Sequence, residues 1–357
     1  MPQTVMVTVR PATPAERGEW DQLVARFANC RIVHKRPWIE WLEACGCGAP
    51  LYLVFERGGE VVGAIPGLLV RIGLLRLYGS PLPGWQTPAM GPVFDPAQVS
   101  TEELVGALVP FLERRHHVHH VELLSGDLDA RPMQTLGFRG EAVPTYRAPL
   151  YPGDEARMMK ALKESARRNI RRAAKLGLVA RLEDDEAIVA EHYAQLQEVF
   201  VRGGNTVSFG EERAREFFRH MRAAGKLLAV SVYLPEGANI ATGLFTVDGR
   251  ELLLWSWAHR TAQRWFRPTE LLTWTVMTKA MAAGCDTLDF MGLGDFKTKF
   301  GAELDHTKYR WVRSRYRWLA RARDLAERGY RWQQSLRGRI ARVRMFGWGR
   351  PAEEAGD

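Results

Sequence analysis

The stretch Leu288-Asp289-Phe290-Met291-Gly292-Leu293-Gly294-Asp295-Phe296-Lys297-Thr298-Lys299-Phe300-Gly301 decides how this chain is read. It opens as a buried strand with one acid, Asp289, inside it. Two glycines follow at alternate positions, then an acid, a phenylalanine and two lysines. Ligands of α/β sheets collect at strand ends of this kind. Glycine lets a backbone approach a ligand closely, and a lysine there can stabilise negative charge developing on an acyl oxygen. The same spacing also fits a glycine turn with solvated lysines.

Working outward, the segment 287–312 has a counterpart at 121–150. Each has an acid within a strand (Glu122, Asp289), a Gly-Asp pair (Gly126-Asp127, Gly294-Asp295), and a closing strand near Tyr-Arg (Tyr146-Arg147, Tyr309-Arg310). Glycine-turned hairpins at 50–70 and 227–247 extend the parallel, so the chain reads as a duplication. Helical spacing is expected over 101–115, 154–176, 187–201, 211–224 and 268–284. The stretch 78–94, with four prolines, is expected to lack regular structure. The expected fold is α/β (α+β), with mixed twisted sheets flanked by helices. Expected lobes are 1–150 and 151–312, the second carrying the active site, followed by a tail at 313–357.

The net charge of +9 is a property of that tail. Residues 313–350 hold twelve arginines, no lysine and two acids (Asp324, Glu327), for +10, and the last seven residues carry −3. Residues 1–312 carry only +2. The tail reads as a basic amphipathic helix that either packs its aromatics on the body or meets anionic lipid or RNA phosphate. No run approaches the ~18 apolar residues of a membrane span, and no signal peptide is evident, so a cytoplasmic location is expected, with possible peripheral contact at the inner membrane face. Four unevenly spaced cysteines fit buried thiols rather than disulfides or zinc. The cluster His116-His117-Val118-His119-His120 lacks an acid at ligand spacing, and no metal is expected.

Two further groups carry possible chemistry. On the helix at 157–175, Lys160, Lys163, Arg167, Arg171 and Lys175 line one face, as a polyanion-binding stripe or a solvated one. Trp257, His259, Arg267-Pro268 and Glu270 lie where a strand enters a loop and a proline opens a helix, whose N-terminus favours anions.

Taken in order, Pro37-Trp38, Arg167-Arg168-Asn169-Ile170-Arg171-Arg172-Ala173-Ala174-Lys175-Leu176-Gly177, Arg267-Pro268 through Leu271-Leu272, Asp289-Phe290 and Phe296-Lys297-Thr298-Lys299-Phe300-Gly301 resemble the Fem-type branch of the GNAT superfamily, which includes peptidoglycan-bridge aminoacyltransferases. The resemblance covers nearly all of residues 20–312. It implies two tandem GNAT lobes and direct attack of an amine on an activated acyl group, without a covalent enzyme intermediate. It implies that Phe296-Lys297 meet the acyl donor, that Lys297 helps carry charge, and that Arg202 and Trp38 lie on the acceptor side. Asp295, by position, would orient or deprotonate the amine. Acyl-CoA or aminoacyl-tRNA would be a cosubstrate rather than a tightly bound cofactor. The acceptor would be an amine on a small molecule, peptide or lipid-linked saccharide, in cell-envelope or polysaccharide assembly. Arg260 to Arg267 lack the spaced glycines of the GNAT pyrophosphate loop, which leaves the donor open. The long coiled-coil arm of some members is absent. A second reading is a catalytically degenerate binding module held on membrane or RNA by the tail. On the enzyme reading, Lys297→Ala would abolish transfer with the melting temperature nearly unchanged.

Overall fold

A computed structural model describes residues 6–346. The chain begins with β1 (Thr8–Pro11), then α1 (Pro14–Gly18), α2 (Trp20–Ala25) and α3 (Arg36–Ala44). Strands β2 (Ala49–Arg57), β3 (Glu60–Ile72), β4 (Leu75–Ser80) and β5 (Val93–Phe94) follow. Next come α4 (Thr101–His116), β6 (His120–Ser125), α5 (Ala130–Thr135) and β7 (Arg139–Ala142). The second half holds β8 (Thr145–Pro149), α6 (Glu155–Ala161), α7 (Glu164–Lys175), β9 (Val179–Glu183), α8 (Ile188–Arg202), α9 (Glu211–Ala223), β10 (Leu227–Tyr233), β11 (Asn239–Asp248) and β12 (Glu251–His259). It ends with α10 (Pro268–Ala282), β13 (Thr287–Asp289), β14 (Glu303–Asp305), β15 (Tyr309–Ser314) and α11 (Arg317–Phe346).

Two mixed sheets result, as expected. One runs β1-β2-β3-β4-β6-β15-β7, with β5 on β3; the other runs β14-β8-β13-β12-β11-β10-β9. Each has one parallel pair among the described strands, β4 with β6 and β12 with β13. Local chemistry fixes the elements. Ser100 and Glu103 form a capping box on α4, and Pro268 opens α10, where a missing N–H costs nothing. Gly67 lies under Tyr78, whose ring would be 2.3 Å from an added Cβ.

Three differences from the sequence reading matter for the site. First, the sheets exchange strands. β8 precedes residue 150 yet pairs with β13 and β14 in the second sheet, while β15 returns to pair with β6 and β7 in the first. Second, the helix read over 154–176 is broken. Leu162 and Lys163 are extended, and the Lys163 N–H donates to Lys299 O, so α7 starts against the turn at 295–300. Third, the proline stretch is partly regular. The first of its prolines is Pro81, so Tyr78 to Ser80 keep their N–H groups and complete β4.

The lobes share a core. Trp38 and Trp41 on α3 meet Phe217 on α9 edge-on at 5.7 and 5.3 Å, and Phe217 stacks on Trp255 of β12 at 4.1 Å. Full burial of such side chains contributes on the order of 2–3 kcal/mol each. A separate core lies between α7, α10 and the opposite face of the second sheet. No described helix is long and apolar enough to cross a membrane.

Candidate active site

Strand β13 ends at Asp289, and the chain turns through Met291 (φ +47°) and Gly292 (φ +76°). A left-handed non-glycine residue costs about 1–2 kcal/mol. The loop's hydrogen bonds offset that cost: Met291 N–H donates to Asp289 Oδ1 at 2.9 Å, and Gly292 N–H to Thr145 Oγ1 at 3.1 Å. The carbonyls of Met291, Gly292 and Leu293 thereby converge on Lys297 Nζ, which donates to them at 2.8, 2.9 and 3.2 Å. Lys297 is only 7% exposed. Burial lowers its pKa from 10.5 to about 8, against the opposing charge of Asp289. The resemblance implies that Lys297 helps carry charge at the donor; here its ammonium is turned into the loop. An ammonium has three donors, and all three are engaged with the loop.

Asp289 is fully buried beneath the loop. Its Oδ1 also accepts from Thr145 Oγ1 at 2.8 Å, and its Oδ2 from Lys308 Nζ at 2.6 Å. Burial pushes the Asp289 carboxyl up, but Lys308 and the two other donors outweigh it and hold the pKa below the usual aspartate value. Glu122 of β6 is the counterpart in the first sheet. It accepts from Arg310 Nη1 at 3.1 Å and contacts His120 Nε2 at 2.9 Å. Lys308 and Arg310, two residues apart, thus each satisfy one sheet's buried acid.

Above these pairs lies a cavity of about 270 Å³ between the lobes. Its walls include Trp85, Gln86 and Thr87 from the loop after β4, Leu124 of β6, Met291 and Gly292 after β13, and Lys308 and Arg310. The carboxyl ends of strands from both parallel pairs face it, the position at which α/β sheets bind ligands.

The other predicted residues lie across β8. Strand residues alternate in direction, so Thr145 faces the cavity and Tyr146 the opposite side. There the Tyr146 hydroxyl donates to Asp295 Oδ1 at 3.3 Å. Phe296 meets Trp257 edge-on at 5.7 Å, and Lys299 Nζ sits 5.1 Å from the Phe296 ring centre. Asp295, Phe296, Lys297 and Trp257 are thus brought together, on the side flanked by α7. On α7, Arg167 bonds Glu164 at 2.9 Å, while Arg171 and Lys175 are exposed and make no ion pair among the described residues.

Trp38, which the resemblance places on the acceptor side, is fully buried. Its indole N–H donates to Thr87 Oγ1 at 3.0 Å, bracing the cavity loop from behind. Arg202 is half-buried in the last turn of α8 and does not line the cavity. Arg260 is held by Glu191 and Glu198, and Glu270 is buried against Asn169 Nδ2 at 2.8 Å, so neither is a free group at the start of α10. Sequence reasoning missed Thr145 and Lys308, and named Arg310 only as part of a closing strand. The available signal was an acid inside each of two strands, which requires a buried cation.

Residues 160–300 match the family model described as an acetyltransferase (GNAT) domain. Among solved structures, FemX is similar at 15% identity, TM-score 0.68, covering 85% of this chain and 96% of that one. A tandem GNAT protein from the clavulanic acid biosynthesis pathway is similar at 13% identity, TM-score 0.51, covering 87% and 99%. L-PGS from Bacillus licheniformis is similar at 11% identity, TM-score 0.50, covering 89% and 97%. No curated protein matches the sequence. The chain shares its overall fold with FemX and with a tandem GNAT protein, and residues 160–300 carry an acetyltransferase (GNAT) domain.

Proposed function

We propose that the protein transfers an acyl or aminoacyl group from a phosphate-bearing donor to an amine, with the acceptor in the interlobe cavity. The observation that carries this reading is the convergence of the ends of β4, β6 and β13 on that cavity, where Lys297 clamps the last loop. The donor approaches from the opposite side of β8. Its phosphates meet Arg171 and Lys175, with Arg167 beside them, and its acyl group lies against Phe296 and Trp257. Donor and acceptor meet where β13 has ended, at Met291 to Gly294.

The amine nitrogen attacks the acyl carbon, a C–N bond forms, and the C–S or C–O bond to the carrier breaks. The carrier sulfur or oxygen leaves with that electron pair and is protonated. The amine's surplus proton passes to Asp295, whose carboxylate is hydrogen-bonded by Tyr146. Lys297 acts through the loop that it holds. Proximity of two bound reactants is the main source of rate in such a site.

The test is saturable binding and transfer with labelled acetyl-CoA and, separately, with charged tRNA. Either donor supports the reading and names the carrier. Binding of neither refutes it in favour of a binding module. Arg171→Gln with Lys175→Gln is expected to weaken donor binding without moving the melting temperature.

A further inference from the structure

Helix α11 has one face docked and one face bare. Leu319 is buried, Arg323 Nε donates to Glu122 Oε1 at 3.2 Å, and Asp324 Oδ1 accepts from Arg139 Nη2 at 2.9 Å. These contacts fix its first turns to the first lobe. Trp318, Leu325 and Trp332 are 56, 71 and 70% exposed. They recur every seven residues, which on an α-helix drifts only about 20° per step, so they form one line. Ala322 and Gly329 lie between them and are also exposed. The next positions on one side are Arg321 and Arg328, both exposed, and on the other Gln333.

We infer that this face is a docking surface for an anionic lipid bilayer. It lies in the headgroup region, with Trp318, Leu325 and Trp332 toward the acyl chains and the arginines toward lipid phosphates. An amphipathic helix of this kind lies in the interface plane, tryptophan favours that depth, and arginine keeps its head among the headgroups while its stem covers apolar surface. The charge is complementary: residues 313–350 hold twelve arginines and two acids. Two other occupants fit less well. A second copy would set Arg321 and Arg328 against a like-charged flank, since Asp324 is already bound to Arg139. RNA would stack on tryptophans but gains nothing from a leucine at the centre of the stripe. The inference is independent of acyl transfer.

The experiment is co-sedimentation of the full chain with vesicles of phosphatidylcholine alone and with added phosphatidylglycerol, with tryptophan emission recorded. Binding to the mixed vesicles, a blue shift, and weakening by salt are expected. Trp318→Ser with Trp332→Ser should weaken binding at least about tenfold, the loss of 1.4 kcal/mol or more. Arg321→Gln with Arg328→Gln should reduce the preference for the anionic vesicles. Circular dichroism melts of both variants should match the parent, because the changed side chains are exposed. Absence of vesicle binding, or undiminished binding by the tryptophan variant, overturns the inference. So does tRNA binding without vesicle binding, or a dimer that the tryptophan variant abolishes.

Discussion

Replacing Lys297 by Met keeps its volume and removes its charge. The structure alters what this should do. A solvated lysine would leave stability untouched, whereas the Lys297 ammonium holds three carbonyls at 2.8, 2.9 and 3.2 Å and is 7% exposed. Hydrogen bonds from a charged group contribute about 1.5–3 kcal/mol each, so three lie near 5 kcal/mol gross at the lower end. Against this stands the burial of the ammonium, several kcal/mol per ion. The lowered pKa shows that burial offsets most of this gain, so the melting temperature should move little. The kinetic loss should be larger, because Met291 stays left-handed only while its loop is held, and sub-ångström placement governs the near-attack geometry. The assays are a thermal melt, steady-state transfer kinetics and amide exchange at Met291 to Gly294. Lys297→Met should lower kcat at least about tenfold and speed exchange in the loop. Parental kcat with unchanged loop exchange would refute the clamp.

Titration of Lys297 gives a second prediction. Its folded pKa lies near 8 and its free value at 10.5, so between these the unfolded chain holds more protons. This group's contribution to stability therefore rises with pH across that window, while the clamp itself weakens as pH passes 8. Transfer should decline above about pH 8, and the parent should gain stability relative to Lys297→Met from pH 8 to 10; a parallel pH dependence of the two proteins would contradict this. Asp289→Asn leaves Lys308 buried without its carboxylate and should cost about 3–5 kcal/mol, whereas Asp289→Leu with Lys308→Met should recover much of the loss. Urea melts of the two variants measure both outcomes. Because the folded pKa of Asp289 is depressed, the pair's contribution is present above the usual aspartate range and should be lost as pH falls through the folded value.

The strands and helices were legible because their periodicity is local. The hairpin β2–β3, the capping box at Ser100 and the proline start of α10 all follow from residues a few positions apart. The break at Leu162-Lys163 was not, because its cause is the carbonyl of Lys299, distant in sequence. Asp295 and Phe296 could be grouped from sequence, but their meeting with Trp257 and the partners of Lys297 could not. Met291-Gly292-Leu293-Gly294 announces a turn without saying that its carbonyls point inward.

The lobe boundary shows the same limit with a consequence. A strand's pattern tells which of its residues are buried, not which sheet buries them. β8 and β15 look like the ends of two similar lobes, yet each completes the other half's sheet. Residues 151–312 alone would lack β8, which separates β13 from β14, and would leave Asp289 without Thr145. They would also carry most of β15, with Trp311 and Val312, without the strands that flank it. That fragment is expected to be aggregated or to melt without cooperativity, and to gain a cooperative transition only when residues 1–150 are supplied. A soluble 151–312 fragment with a sharp calorimetric transition would refute the mutual dependence. The cavity stands on the same argument, since its floor is Lys308 and Arg310, each held by the buried acid of a different sheet.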